Sequence, residues 1–262
     1  MFLEIDAARI HYERTGAGFP VIFLHAGIAD ARMWEPQVSA FASHFDVIRP
    51  DARGFGQSDL PAVRWSGVRD LLAIMDALGL KPAHLVGCSM GGGLALDFAL
   101  DHPERVSKVV LVGPSISGAN FGQRYPDLWA PVKAADEAHD LERLNREEMK
   151  LFLAGPKRSI DRIDKRLQDL FLDMNATSMK SDFDSAPEDG IDPPAIDRLG
   201  EVSARTLIVV GDEDVPPVLD ASDVLLQKVN GARKAVIHDA AHLPNLEHPD
   251  EFNRIVLDFL LG

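Results

Sequence analysis

Eight short apolar runs of strand length punctuate the chain, and helical patterns separate most of them. The runs are Phe2–Asp6, Arg9–Glu13, Val21–Leu24, Phe45–Arg49, His84–Gly87, Val109–Val112, Thr206–Val210 and Ala235–His238. Short apolar runs bounded by Gly or Pro suit strands covered on both faces. The first two read as a short antiparallel pair. Between the later ones, Trp65, Val68, Leu72 and Met75 share one helical face, and Gly79 and Pro82 stop that helix. Met90–Asp101 is apolar on nearly all sides, with only Asp97 and Asp101 charged, as expected of a buried helix. Phe252, Ile255, Val256 and Phe259 form another helical stripe near the C-terminus. Alternation of this kind predicts an α/β fold: a mostly parallel central sheet with right-handed crossovers and helices on both faces.

The rhythm breaks once. Between Ser117 and Gly200 no run reads as a strand; Asp136–Leu153 and Ser159–Met174 are helical in character, and Ser181–Pro194 reads as a loop. A segment of roughly 80 residues is thin for a core of its own. The expected organisation is therefore a core in two parts, residues 1–116 and 201–262, with a helical cap of residues 117–200 over the C-terminal edge of the sheet.

The segment LVGCSMGGG places Gly87-x-Ser89-x-Gly91 directly after a strand and directly before the buried helix. A sharp strand-to-helix turn forces its central residue into a strained backbone conformation, and side chains two positions away would collide. Glycines at 87 and 91 remove that collision. The Ser89 hydroxyl is thereby lifted clear, beside the free amides of a helix N-terminus that favour developing negative charge. A phosphate-binding loop is the competing reading, but no Lys-Ser/Thr pair follows the glycines.

A serine hydroxyl needs a base. His242, in DAAHLPNLEHP just after the last strand, is at the correct edge of the sheet; His25, His238 and His248 read as structural residues. The base in turn needs a carboxylate to fix its tautomer. The loop after Thr206–Val210 offers Asp212, Glu213 and Asp214; Asp214 is favoured, with Asp212 as runner-up. An oxyanion needs two backbone donors. These are expected from Met90 and from Gly27, with Ile28 less favoured. Substrate contacts are expected from Ile28, Trp129, Val215 and Leu243.

Net charge is −14, so the chain lacks the basic face that nucleic acid needs, and an anionic membrane is disfavoured as well. A single cysteine, Cys88, precludes an intrachain disulfide and a thiolate zinc cluster. The N-terminus has no basic start or apolar stretch of a secretory signal, and a cytoplasmic location is expected.

Four motifs in order resemble the α/β-hydrolase superfamily. They are His25-Ala26-Gly27 followed by Trp34, the stretch from Asp51 to Ser58, Gly87-Cys88-Ser89-Met90-Gly91-Gly92, and Gly211-x-x-Asp214 with His242. The resemblance implies that Asp214 is the triad acid and that Gly27 supplies an oxyanion amide. It implies a structural role for the Asp51–Ser58 turn. Ala26 departs from the glycine common in the family. Relatives that break carbon–halogen bonds or epoxides have Asp where this chain has Ser89, so the resemblance implies acyl chemistry. It is similar to small carboxylesterases and 3-oxoadipate enol-lactonases. The expected activity is hydrolysis of a small carboxylic ester or lactone through an acyl-enzyme, with no metal or organic cofactor. Alternatives on the same residues are a slow ligand-sensing receptor, a perhydrolase and a carbon–carbon hydrolase. The Gly-Gly-Gly oxyanion loop common in the last group is absent.

Overall fold

The computed structural model describes residues 1–6, 8–60, 64–182 and 188–262. Eight strands form one sheet: β1 (Phe2–Ile5), β2 (Ala8–Gly16), β3 (Phe19–Leu24), β4 (Phe45–Pro50), β5 (Ala83–Cys88), β6 (Val106–Val112), β7 (Arg205–Gly211) and β8 (Arg233–Ile237). Their spatial order is β1-β2-β4-β3-β5-β6-β7-β8. Pairing is antiparallel at β1–β2 and β2–β4 and parallel from β4 onward. This is the mostly parallel α/β architecture the alternation predicts.

The helices are α1 (Glu35–Ala42), α2 (Gly67–Ala77), α3 (Met90–Asp101), α4 (Pro126–Glu137), α5 (Leu141–Glu148), α6 (Lys165–Asp182), α7 (Ala195–Arg198), α8 (Pro216–Lys228), α9 (Pro244–Glu247) and α10 (Pro249–Leu261). None of the described helices is long and apolar enough to cross a membrane.

Successive side chains on a strand point to opposite faces, and the core divides accordingly. Val21, Phe23, Val86, Cys88, Val110, Val112 and Val209 pack with Phe41 of α1 and with Phe252, Val256 and Phe259 of α10. Ile22, Leu24, Leu85, Val109, Leu111 and Ile208 pack against α2, α3 and α8 through Leu71, Met75, Phe98 and Leu225. Both faces are thus covered, which is why the central strands read as unbroken apolar runs.

The segment between β6 and β7 is helical. Met149, Leu153, Phe171 and Met174 from it share a core with Ala26, Ala29 and Leu243, which lie in loops after β3 and β8, and with Met33 of the 3₁₀ turn Ala31–Trp34. Its internal boundaries differ from expectation. Asp136–Leu153 is interrupted between α4 and α5, where His139 takes a positive φ of 52°, and then widens into a π-helical turn, Met149–Ala154. In Ser159–Met174 a single 3₁₀ turn, Ile160–Arg162, precedes α6, which runs on through Asp182 into the expected loop; residues 183–187 of that loop lie outside the described residues. Trp65 precedes α2 and instead bridges to Glu188.

Phe252 is fully buried, with its ring centroid 6.0 Å from that of Trp34. Phe252→Ala should therefore cost about 3–5 kcal/mol, the usual penalty for emptying a buried aromatic site. Urea denaturation of the purified variant measures it.

Candidate active site

Ser89 joins β5 to α3 with φ 52° and ψ −112°, a conformation that L-residues rarely adopt. The glycines around it are sterically required. A Cβ on Gly87 would sit 2.1 Å from the Gly91 carbonyl oxygen, and one on Gly91 would sit 2.3 Å from the carbonyl oxygen of Leu24. The turn is held from the β6 side: the Ser89 amide donates to Val112 O at 2.9 Å, and Ser89 O accepts from the Ser115 amide at 3.1 Å.

His242 and Asp214 arrive from two other loops. The His242 Nδ1–H group faces both oxygens of Asp214, at 2.9 Å and 3.1 Å. Both side chains are only 1% exposed. A buried carboxylate that can only accept forces the imidazole proton onto Nδ1 and leaves the Nε2 lone pair free to act as a base. Asp214 is therefore the partner of His242. Asp212, the other candidate, is bonded at 2.8 Å to His238, which lies just past the end of β8.

The pair sits against the Ser89 turn. Cys88 Sγ approaches the His242 carbonyl oxygen at 3.7 Å. A Cβ on Gly113, next to Val112, would lie 3.1 Å from both His242 Nδ1 and Asp214 Oδ2. The Ser89 hydroxyl itself makes no hydrogen bond among the described residues; the contacts that link the His242 loop to this turn run through Cys88 and Gly113.

Gly27 backs directly onto Met90, its Cβ direction pointing 3.6 Å from Met90 Sδ. Among the described residues, the amides of Gly27 and Met90 donate to no protein acceptor, whereas the neighbouring Gly91 amide is used by His25 O at 3.1 Å. The Ala26 methyl, at the position where the family commonly has glycine, is fully buried in the core. His25 is structural: its Nδ1–H donates to Ala26 O at 2.8 Å and its Nε2 accepts from the Ala52 amide at 2.9 Å. Asp51 holds its own turn, accepting from the amides of Ala31 and Gln57 and bonding His11.

Ser89 lines a cavity of about 680 Å³ with Ile116, Phe121, Trp129, Lys133 and Val218. Of the expected substrate contacts, Trp129 is in this wall. Val215 and Leu243 are fully buried and Ile28 packs on the core, so none of the three lines it. A second cavity of about 380 Å³ shares Ser115, Ile116 and Ala119 with the first and is walled by Met90, Leu94, Leu71 and Asp97. One contributor escaped sequence reasoning. Gly113, in a Gly-Pro pair, takes φ 47° beneath the acid–base pair. Phe152, in the segment between β6 and β7, has its ring centroid 5.1 Å from that of His242, tilted by 40°.

A family model described as the alpha/beta hydrolase fold matches residues 20–249. The chain belongs to the α/β-hydrolase fold family, and it is a hydrolase. It is 34% identical to a 2-hydroxy-6-oxo-6-phenylhexa-2,4-dienoate hydrolase of Burkholderia cepacia, over 96% of this chain and 91% of that one. Among solved structures it resembles Est816, described as an N-acyl homoserine lactone degrading enzyme, with a TM-score of 0.80 and 27% identity over 99% and 100% of the two chains. It also resembles an esterase of Exiguobacterium antarcticum, with a TM-score of 0.82 and 25% identity over 100% and 99%.

Burial pushes the Asp97 carboxyl up to about 6, although the Ser117 hydroxyl bonded to it pulls the other way. A carboxyl raised in the folded state binds its proton more tightly there than in the unfolded chain. Its contribution to stability is full below the unfolded value and is lost as pH rises through about 6. Asp97→Asn escapes that loss. Its melting temperature relative to the parent should rise between pH 4 and pH 8, as differential scanning calorimetry at the two pH values would show.

Proposed function

We propose that this protein is a serine hydrolase that cleaves a small, uncharged carboxylic ester or lactone through an acyl-enzyme. The observation that supports it is the buried His242–Asp214 pair packed against the Ser89 turn, beside two amides without an acceptor. In this reading His242 Nε2 takes the Ser89 proton as Oγ attacks the substrate carbonyl carbon. The amides of Gly27 and Met90 receive the oxyanion. His242 then protonates the departing alkoxide, and the ester C–O bond breaks to leave the acyl group on Ser89. Water, deprotonated by His242, attacks the acyl carbon; the acid leaves and the proton returns to Ser89. Asp214 keeps the imidazole in the required tautomer and stabilises the imidazolium.

A second reading, hydrolysis of a carbon–carbon bond, is favoured by the curated relative, whose named substrate is a dienoate and hence a carboxylate. The cavity walls argue for a neutral substrate instead. Lys133, in the wall of the Ser89 cavity, has a side chain 74% exposed and lies 3.7 Å from Glu137. Arg53, beside the second cavity, is held by both oxygens of Asp70 at 2.7 Å. Among the described residues, no buried cation is therefore left unpaired in either wall to neutralise a substrate carboxylate.

A panel of p-nitrophenyl esters, lactones and the phenylhexadienoate separates the two readings. kcat/KM should be at least about tenfold higher on the best neutral ester or lactone than on the dienoate; the reverse order establishes carbon–carbon hydrolysis. Ser89→Ala should lower kcat by about 10³-fold or more and abolish fluorophosphonate labelling. Retained turnover in that variant would refute the nucleophile assignment. Asp214→Asn should lower kcat by roughly 10⁴-fold, the usual effect of installing the wrong tautomer. Asp212→Asn, measured alongside, should stay within about threefold of the parent, because its partner is His238.

A further inference from the structure

Three contacts run from the end of the π-helical turn Met149–Ala154 into the loops that carry Asp214 and His242. The His242 amide donates to Phe152 O at 3.1 Å. Gly155, at φ 78°, approaches so closely that a Cβ would sit 2.1 Å from the carbonyl oxygen of Glu213, the residue before Asp214. The third contact is a guanidinium. Arg158 donates from Nε to Ala154 O at 2.7 Å and from Nη2 to Leu153 O at 3.2 Å. These are terminal carbonyls of the turn, which have no partner within it. The same Nη2 reaches Glu247 Oε2 at 2.6 Å, and Nη1 donates to Asp239 O. Glu247 Oε1 accepts from the amide of Ala241, the residue before His242, at 2.7 Å.

We propose that Arg158, acting through Glu247, is a positioning residue that fixes the backbone of His242 and thereby sets the rate of turnover; the proposal rests on His242 being the base. The Arg158 and Glu247 side chains are only 6% and 5% exposed. Burying such a pair costs desolvation that well-packed apolar residues of similar volume avoid. The cost is visible at Glu247, where burial raises the carboxyl even against its bonds to Ala241 and Arg158. Stability alone therefore gives no reason for the pair, whereas geometry does. The planar fork of Arg holds two segments at once, which the single ammonium of Lys cannot reproduce. One segment is the end of the insertion; the other leads through a single carboxylate to the residue next to the base.

The decisive variant replaces both members with apolar residues, Arg158→Met with Glu247→Met, and is compared with Arg158→Met and Arg158→Lys alone. Active sites are titrated with a fluorophosphonate, so that kcat on p-nitrophenyl acetate is expressed per competent site, and melting temperature reports folding. The double variant should melt within a few degrees of the parent, yet lose about 10- to 100-fold in kcat per site, the scale expected of a misplaced catalytic group. KM should change by less than about threefold, and Arg158→Lys should fall between Arg158→Met and the parent. A folded double variant with kcat per site within about twofold of the parent overturns the proposal, as does a loss confined to KM. Should Arg158→Met fail to fold, the double variant decides. Failure of the serine-hydrolase reading shows separately, as parent protein that does not label at all.

Discussion

A serine held at φ 52° between a buried strand and a buried helix is the constraint around which the molecule is arranged. Such a backbone persists only where the surroundings over-determine it. Here they do so by contact: Gly87 against Gly91, Gly91 against the end of β3, and the Ser89 amide against the end of β6. A side chain at either glycine would push a carbonyl aside. The strain therefore belongs to the sheet as a whole, because the three strands that meet at the turn are the central ones.

The His242–Asp214 pair depends on the same sheet in a different way. Asp214 follows β7 and His242 follows β8, so parallel strand order alone brings their loops to the edge where Ser89 emerges. Burial does the rest. With both side chains out of water, the carboxylate is held by the His242 Nδ1–H group and by the Val215 amide, and the imidazole has one orientation. Phe152, Gly155 and Arg158 of the insertion press on both loops from the other side. The insertion is thus packed directly onto the loops that carry Asp214 and His242.

Much of this was legible along the chain. The eight strands lie at or near the short apolar runs, and the central ones are the most legible, because strands buried on both faces must be apolar throughout. Met90–Asp101 is a helix over its expected range, and the paired acid is the one the motif spacing favoured. Other features were not legible, for reasons of distance. Arg158 and Glu247 are 89 positions apart, and nothing local to either announces a partner. Val215 and Leu243 have the character of pocket residues but are fully buried, because apolarity does not distinguish a core wall from a cavity wall. The break between α4 and α5 falls in a charged stretch where helical periodicity continues across it.

By itself, then, the sequence determined the alternation of strand and helix, the strained turn at Ser89 and the residue types that its neighbourhood brings together. These follow from local sterics and from side-chain periodicity, which are properties of neighbouring residues. The tertiary structure decided which carboxylate faces which imidazole, which amides are left without acceptors, and how the insertion grips the loop bearing His242. Those are contacts between residues remote in the chain, and their energies depend on distance and burial, which only the folded packing sets.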